Sequence, residues 1–399
     1  MILTWIVLFI FVLFGLLTFR RKDLFSPWTI TFCVWIVEIA CFLTFDHGLY
    51  ATTGNFEQAV LLWVISFCGS SFIVYDMARG NSPTKHHIAG ADYNSNAFRI
   101  MFWISIICVP ITVYLAYKYA LANAITDNIF FELRYNTTQS ENRKDSILKY
   151  TTYIALIPLL AECNAKKINT KRLILLYFLN VVLMFSSMSK ISLFTSIISS
   201  VFVLVYNKRI KPRVFIYIFI AFIGLTILFS AIRSFYGDID ADRIGAVLSV
   251  YTLSPISAFD YVAESVNQTY DGSYTLRFFY QLAKSLGADV DVRSTIQDFV
   301  QIPHSTNVYT VFYQYYKDFG YFGIFIFGLI NGSIYGFVYS RIAFNPKLKL
   351  FYSYLVVTLF LQFFAELFWT TLSSTIQVFL CSYLVYVRRN KKRIKYCCM

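Results

Sequence analysis

The chain has 399 residues, of which 57% are hydrophobic, 19% aromatic and only 14% Asp, Glu, Lys or Arg. An ordinary soluble domain carries about 25% charged residues, so this composition excludes a disordered chain, a small disulfide scaffold and a water-soluble enzyme. On a soluble protein the formal charge of +13 would point to nucleic acid. Here no basic globular face exists to carry it, so it is read first as a topology signal, and no nucleic-acid partner is expected.

Apolar runs long enough to cross a bilayer as helix recur along the whole chain. Eleven are read: 2–19, 27–45, 58–77, 99–120, 148–163, 173–188, 190–206, 213–231, 320–340, 350–370 and 372–387. The first is followed by Arg20, Arg21 and Lys22 and has neither a basic leader nor a small-residue cleavage site, so it is expected to be a retained helix. Low Gly and Ala with abundant Ile and Phe imply that helix contacts need not rely on small-residue seams. The eight cysteines lie in or beside apolar runs or at Cys397 and Cys398, and no disulfide framework is expected.

The charges alternate by loop. The loops at 20–26, 78–98, 164–172, 207–213 and 341–349, with Arg99 and the tail 388–399, hold 23 of the 35 Lys and Arg; the alternate loops hold 12. Acidic residues do the reverse. The basic side is expected to be cytoplasmic, which puts the N-terminus outside and the C-terminus inside, with the tail from Arg388 anchored at anionic lipid. The expected fold is therefore an all-α, polytopic integral membrane protein of about eleven spans. It forms a single multi-pass transmembrane domain over 1–399.

The external side carries two long loops, 118–147 and 232–319. The second is far longer than a connection needs and too rich in Tyr, Phe, Ile and Val to be disordered. It is expected to contain short helices, including an amphipathic or re-entrant one over 244–262 that Pro255 breaks.

No phosphate-binding glycine loop, dinucleotide fingerprint, His-Glu-x-x-His or paired Cys-x-x-Cys is present, so no metal site and no cofactor are expected. Three external clusters stand out instead. The first is Phe131-Glu132-Leu133-Arg134-Tyr135-Asn136. In the second, Arg233 ends the eighth run ahead of Asp238, Asp240, Asp242 and Arg243. The third runs from Pro303-His304 through Asn307, Tyr309, Tyr313 and Lys317-Asp318 to Gly323. Arginine offers a planar fork of donors that matches phosphate, so Arg134, Arg233 and Arg243 outside the membrane suggest an anionic ligand; the bland reading of each is a snorkelling interfacial residue. Tyrosine faces suit sugars, and the same tyrosines would also suit an interfacial belt. His304 is read as starting a polar-aromatic helix that runs into the ninth span, where an imidazole can take or give a proton. Glu38 and Glu366 are carboxylates within apolar runs and are expected to face a bundle interior.

Thr306-Asn307-Val308-Tyr309-Thr310, then Asp318-Phe319-Gly320-Tyr321-Phe322-Gly323 ahead of a span starting Ile324-Phe325, resembles the O-antigen polymerase (Wzy-type) family of oligosaccharide repeat-unit polymerases. The eleven-span layout and large external loop are similar too. The family's spaced Arg–Gly motifs are not at their usual intervals: eleven residues separate Arg233 from Gly245.

The resemblance implies a GT-C-like polytopic glycosyltransferase that moves a growing glycan from undecaprenyl diphosphate to a lipid-linked repeat unit at the periplasmic face. A flippase and a chain-length regulator are implied partners. Charge stabilisation at the departing diphosphate then matters more than strong acid help. Arg233, Arg243 and Arg134 would bind diphosphate, with Arg233 also catalytic. His304 would act as base or orienter, Asp318 as a second candidate base, and Asn307, Tyr309 and Tyr313 would bind sugar. An O-antigen ligase, to which His304, Asn307 and Gly320-x-x-Gly323 are also similar, and a lipid-linked oligosaccharide flippase or transporter remain open alternatives.

Overall fold

The computed structural model describes residues 2–18, 23–80, 90–122, 124–138, 146–187, 189–214, a few positions between 216 and 224, and 252–387. Arg233 and Arg243, most of the eighth apolar run and the basic tail lie outside the described residues. Among the described residues, helices occupy ten of the eleven apolar runs. They are α1 (Ile2–Thr18), α2 (Pro27–Thr44), α3 (Asn55–Trp63) continued by a π turn (Val64–Cys68) into α4 (Gly69–Gly80), α5 (Ser95–Ala122), α6 (Ile129–Thr138), α7 (Ser146–Cys163), α8 (Thr170–Ser187) and α9 (Lys190–Tyr206). The long loop adds α10 (Ser254–Ser265), α11 (Arg277–Ser285) and a two-residue hairpin, β1 (Val300–Gln301) with β2 (Ser305–Thr306). The chain continues with α12 (Tyr313–Arg341), α13 (Pro346–Phe360) and α14 (Leu372–Val385).

Among the described residues, four helical stretches are long and apolar enough to cross a membrane: Pro27–Thr44, Asn55–Arg79, Ser95–Ala122 and Tyr313–Arg341. Shorter apolar helices accompany them. Trp5, Phe9 and Phe11 of α1 and Trp103 and Ile107 of α5 are exposed. Apolar surface of this extent belongs against lipid rather than water.

Local chemistry explains several helix starts. Ser26 caps α2, its hydroxyl accepting from Thr29 N at 3.4 Å, with Pro27 opening the helix. Asn345 caps α13 in the same way, taking Lys347 N at 3.1 Å ahead of which stands Pro346. Pro255 lies in the first turn of α10. Thr252 and Leu253 before it are π-helical, and the part of the expected 244–262 helix ahead of residue 252 lies outside the described residues.

The helix core is closest where α12 crosses the α3–α4 pair, and here the expectation about small residues fails. Gly328, Gly332 and Gly336 face Ser66, Phe67, Ser70 and Ser71, and a Cβ on any of the three would overlap them. Glycine is scarce in the chain but concentrated on this one face, and that lets two backbones touch. The π turn, with its wider ring, sits at the same crossing.

The loops sort into two groups. At one end Asn94 Nδ2 donates to Val387 O at 2.7 Å, Asn164 Nδ2 to the Tyr386 hydroxyl at 2.7 Å, and Lys349 Nζ to Asn207 Oδ1 at 3.0 Å. At the other, the Asp260 carboxylate of α10 accepts Thr53 N at 2.6 Å and Phe56 N at 2.8 Å, satisfying donors at the start of α3. Val311 N reaches Gln362 O there at 2.8 Å, and the Tyr321 hydroxyl reaches Asn55 Oδ1 at 2.8 Å. The second carries the long loop expected to lie outside and is termed the outer end below.

Candidate functional site

The outer end is built on the first part of α12. That helix changes direction at Gly320, whose backbone is at φ 61° and ψ −152°, a combination essentially confined to glycine. The segment before the kink carries Tyr313, Lys317 and Asp318. Asp318 is fully buried, and its oxygens are turned to the loop: Thr269 Oγ1 donates at 3.0 Å, Tyr274 N at 3.2 Å and Thr275 N at 2.6 Å. The backbone joins in, with Thr269 N on Lys317 O and Tyr270 N on Asp318 O. This docking fixes the turn 269–275 against α12.

The docking gathers cations and aromatic rings. Lys317 Nζ donates to the Tyr313 hydroxyl at 3.1 Å and stands 4.4 Å from the ring centre of Tyr274. The guanidinium of Arg293 is 5.4 Å from the same Tyr274 ring. Both distances suit a cation over an aromatic face. Tyr309 stacks on Tyr313, centroids 4.1 Å apart and planes 12° from parallel. The Tyr309 hydroxyl donates to Asp298 O at 3.0 Å, and burial followed by the Asp298 charge pushes that phenol up to about 12. Arg277 Nε holds the Arg293 carbonyl, and Arg293 Nη1 meets Asp291 at 3.3 Å.

Of the residues singled out by sequence, the structure brings Tyr309, Tyr313 and Asp318 into one cluster. Asn307 is half-buried just after β2. His304 starts no helix: it lies in the turn of the hairpin, exposed, its carbonyl accepting from Ile302 N at 3.1 Å. The hairpin register pairs Val300 with Thr306 and Gln301 with Ser305. Pro303 and the short turn leave no room for a helix before Tyr313. Arg134 is half-buried on α6, which packs on α5 and α8. Its neighbour Glu132 is fully buried and caps the preceding turn, accepting Ile125 N at 3.0 Å and Thr126 N at 2.8 Å.

Sequence reasoning passed over Lys317, Arg293, Arg277 and Tyr274 as site residues. One signal was present: Tyr313 and Lys317 are four apart and must share a helix face. Arg293 and Tyr274 reach that face only through tertiary contacts.

Beneath the cluster lies a buried polar hub. α13 ends at Phe360, so Glu366 is not in a helix as the apolar run 350–370 suggested. Its carboxylate accepts Phe368 N, Trp369 N and Thr370 N at 2.8–2.9 Å and the Tyr315 hydroxyl at 3.0 Å. Three backbone donors on one carboxylate replace the next helical turn. Asn331 Nδ2 reaches the same Tyr315 hydroxyl at 2.9 Å, and Gln362 Oε1 receives the indoles of Trp35 and Trp63. The other carboxylate, Glu38, borders a cavity of about 210 Å³ whose lining includes Val37, Phe194, Phe360 and Phe363. No group of three or more His, Cys, Asp or Glu that could hold a metal occurs among the described residues.

A protein of Escherichia coli K12 described as a putative O-antigen polymerase is 32% identical to this chain over 192 residues. The match covers 47% of this chain and 46% of that protein, just under half the length of each. The chain matches no family model and no solved structure.

Proposed function

We propose that this protein is a polysaccharide polymerase that builds a surface glycan from lipid-linked repeat units. The observation that carries the reading is the 32% identity to the E. coli putative O-antigen polymerase; the cluster of Lys317, Arg293, Tyr274, Tyr309 and Tyr313 at one end of a helical membrane protein fits the chemistry.

In this reading the donor is a glycan on undecaprenyl diphosphate and the acceptor a lipid-linked repeat unit, and the outer end faces the periplasm of a bacterial inner membrane. The bond between the anomeric carbon and the diphosphate oxygen breaks. A bond forms from that carbon to an acceptor hydroxyl, and the hydroxyl proton leaves to a base. Undecaprenyl diphosphate departs with the bonding pair. Negative charge grows on the diphosphate, so cations placed beforehand do the most for the rate. Lys317 and Arg293 would supply them, with Arg233, Arg243 and Arg134 as further donors. Tyr274, Tyr309, Tyr313 and Asn307 would hold sugar rings, the faces by stacking and the hydroxyls by hydrogen bonds. His304, exposed at the hairpin turn, would take the acceptor proton. Asp318 has its oxygens committed to Thr269, Tyr274 and Thr275, so its role here is to position Lys317 and Tyr274.

The test is reconstitution in lipid vesicles with a matched undecaprenyl-diphosphate repeat unit. The expected product is a ladder spaced by one repeat, lost in Arg233→Ala and Lys317→Ala. Movement of the substrate across the bilayer with no ladder would make the protein a flippase instead. Transfer of finished glycan to lipid A core alone would make it a ligase.

A further inference from the structure

α11, Arg277–Ser285, has no buried residue. At a helical spacing of 100° per residue, Phe279, Leu282 and Leu286 lie on one side, while Arg277, Gln281 and Lys284 lie on the other. The apolar side is open: Phe279 is 48% exposed, Leu282 47% and Leu286 80%. A helix of nine residues whose apolar side packs on nothing is marginal in water. A face this apolar needs a partner.

The geometry says which. The root of α11 is tied to the outer end of a membrane span: Thr275 N bonds the Asp318 carboxylate at 2.6 Å, and Asp318 is two residues before the Gly320 kink. The Tyr280 hydroxyl adds a bond to Asp271 O at 2.6 Å. Nine helical residues reach only about 14 Å, so no part of α11 can stand far from the level at which α12 leaves the bilayer. Phe322, in the first turn after the kink, is 70% exposed and adds apolar surface at the start of the span. On the polar side Arg277 and Lys284 suit anionic headgroups.

We propose that α11 lies in the membrane–water interface with Phe279, Leu282 and Leu286 in the acyl boundary of the leaflet at the outer end. The helix is thereby a float that sets the depth of the Lys317–Arg293–Tyr274 cluster, holding it at headgroup level where the charged part of a lipid-linked substrate resides. This placement stands or falls independently of the polymerase reading, since it depends on lipid contact and not on catalysis.

The experiment places the photo-crosslinking residue benzoylphenylalanine singly at positions 279, 282 and 286, and for comparison at 281 and 284. The full-length protein is reconstituted in vesicles of phosphatidylethanolamine and phosphatidylglycerol, irradiated, digested and read by mass spectrometry. All five sites are solvent-exposed, so substitution leaves the core intact. Lipid adducts at 279, 282 and 286 that exceed those at 281 and 284 by about fivefold or more are expected for a helix lying in the interface. Equal labelling around the helix would overturn the proposal. So would cross-links from 279, 282 and 286 to a second copy of the chain or to another segment of the same chain.

Discussion

The crossing of α12 over the α3–α4 pair makes a quantitative test of the packing. A Cβ added at Gly332 would stand 3.0 Å from the Phe67 carbonyl carbon, with the carbonyl oxygen and Ser70 Oγ nearer still. One at Gly336 would stand 2.9 Å from both the Cα and the carbonyl carbon of Ser71. These obstacles are backbone and cannot rotate away. Relief requires the helices to separate by roughly 1 Å, and at that gap each atom pair across the seam forfeits about a quarter to a half of its dispersion energy. Overpacking of this kind costs about 1–3 kcal/mol. The gain in helix propensity from Gly to Ala, about 1 kcal/mol, offsets part of it, leaving a net cost of up to about 2 kcal/mol for Gly332→Ala and Gly336→Ala.

Gly328 differs in kind. Its added Cβ would meet the Ser66 side chain, with Ser66 Cβ at 3.0 Å and the nearest backbone atom, Phe67 N, at 3.5 Å. A rotation of the Ser66 hydroxyl clears most of that, so Gly328→Ala should lose less, and Ser66→Ala should restore part of the loss. Gly15 has nothing within 4 Å of an added Cβ and serves as the control. The assay is the thermal unfolding midpoint of the full-length protein in lipid nanodiscs. The order expected from least to most stable is Gly336→Ala and Gly332→Ala together, then Gly328→Ala, then Gly15→Ala at or above the parent, since it gains helix propensity without a clash. Equal midpoints for Gly332→Ala and Gly15→Ala would refute the seam.

Glu366→Ala strands three backbone N–H groups at about 1–3 kcal/mol each and should abolish recovery of folded protein, while Glu366→Gln, which keeps an acceptor oxygen, should lower the thermal midpoint without that collapse. Lys317→Ala should slow ladder formation roughly 100-fold or more, the scale of losing one preorganised charge donor, with Lys317→Arg in between; an unchanged rate would remove Lys317 from the site. Asp271 is pushed up by its partial burial but drawn down further by hydrogen bonds from Ser273 and Thr269 and by the Arg293 charge, so it sits below the ordinary aspartate range. A depressed folded value means stability present above about pH 4 and lost as pH falls through the folded value; hydrogen exchange in the 269–275 turn should therefore rise only below about that pH.

Much of the architecture is written locally. Ser26-Pro27 and Asn345-Pro346 announce helix starts that the structure keeps, and most of the apolar runs coincide with helices where residues are described, 361–370 being an exception. The end of α13 is not written locally. Residues 361–369 are largely apolar, yet α13 ends at Phe360, and further along Phe368 N, Trp369 N and Thr370 N turn to the Glu366 carboxylate. Chain-wide composition hid the glycine seam: 16 glycines in 399 residues is a low count, but five of them fall between 320 and 336, three at a spacing of four. The cation–aromatic cluster was hidden for another reason. Tyr274, Arg293 and Lys317 are far apart in sequence, and the bonds that join them run through Asp318 to the backbone of a distant turn. No periodicity reports such a contact.

One helix thus carries the cluster, the kink and the seam, and that yields a last prediction. The seam fixes α12 after Gly320; the Asp318 bonds fix the segment before it. Gly320 is the joint, and its φ of 61° with ψ −152° is what aims Tyr313 and Lys317. An added Cβ there would meet only Gln268, at 3.9 Å, so Gly320→Ala introduces no clash. What it introduces is backbone strain of about 1–3 kcal/mol. The parts on either side are held by their own contacts, so the fold should survive. The strain is relieved by rotating the joint, which re-aims Lys317 together with the docked Tyr274 turn while the seam stays closed. The variant should therefore keep most of its thermal midpoint and lose most of its ladder rate, the reverse of Gly332→Ala. Full activity in Gly320→Ala would show that the direction of the kink does not matter to the site, and the link drawn between the core of α12 and the cluster it carries would be wrong.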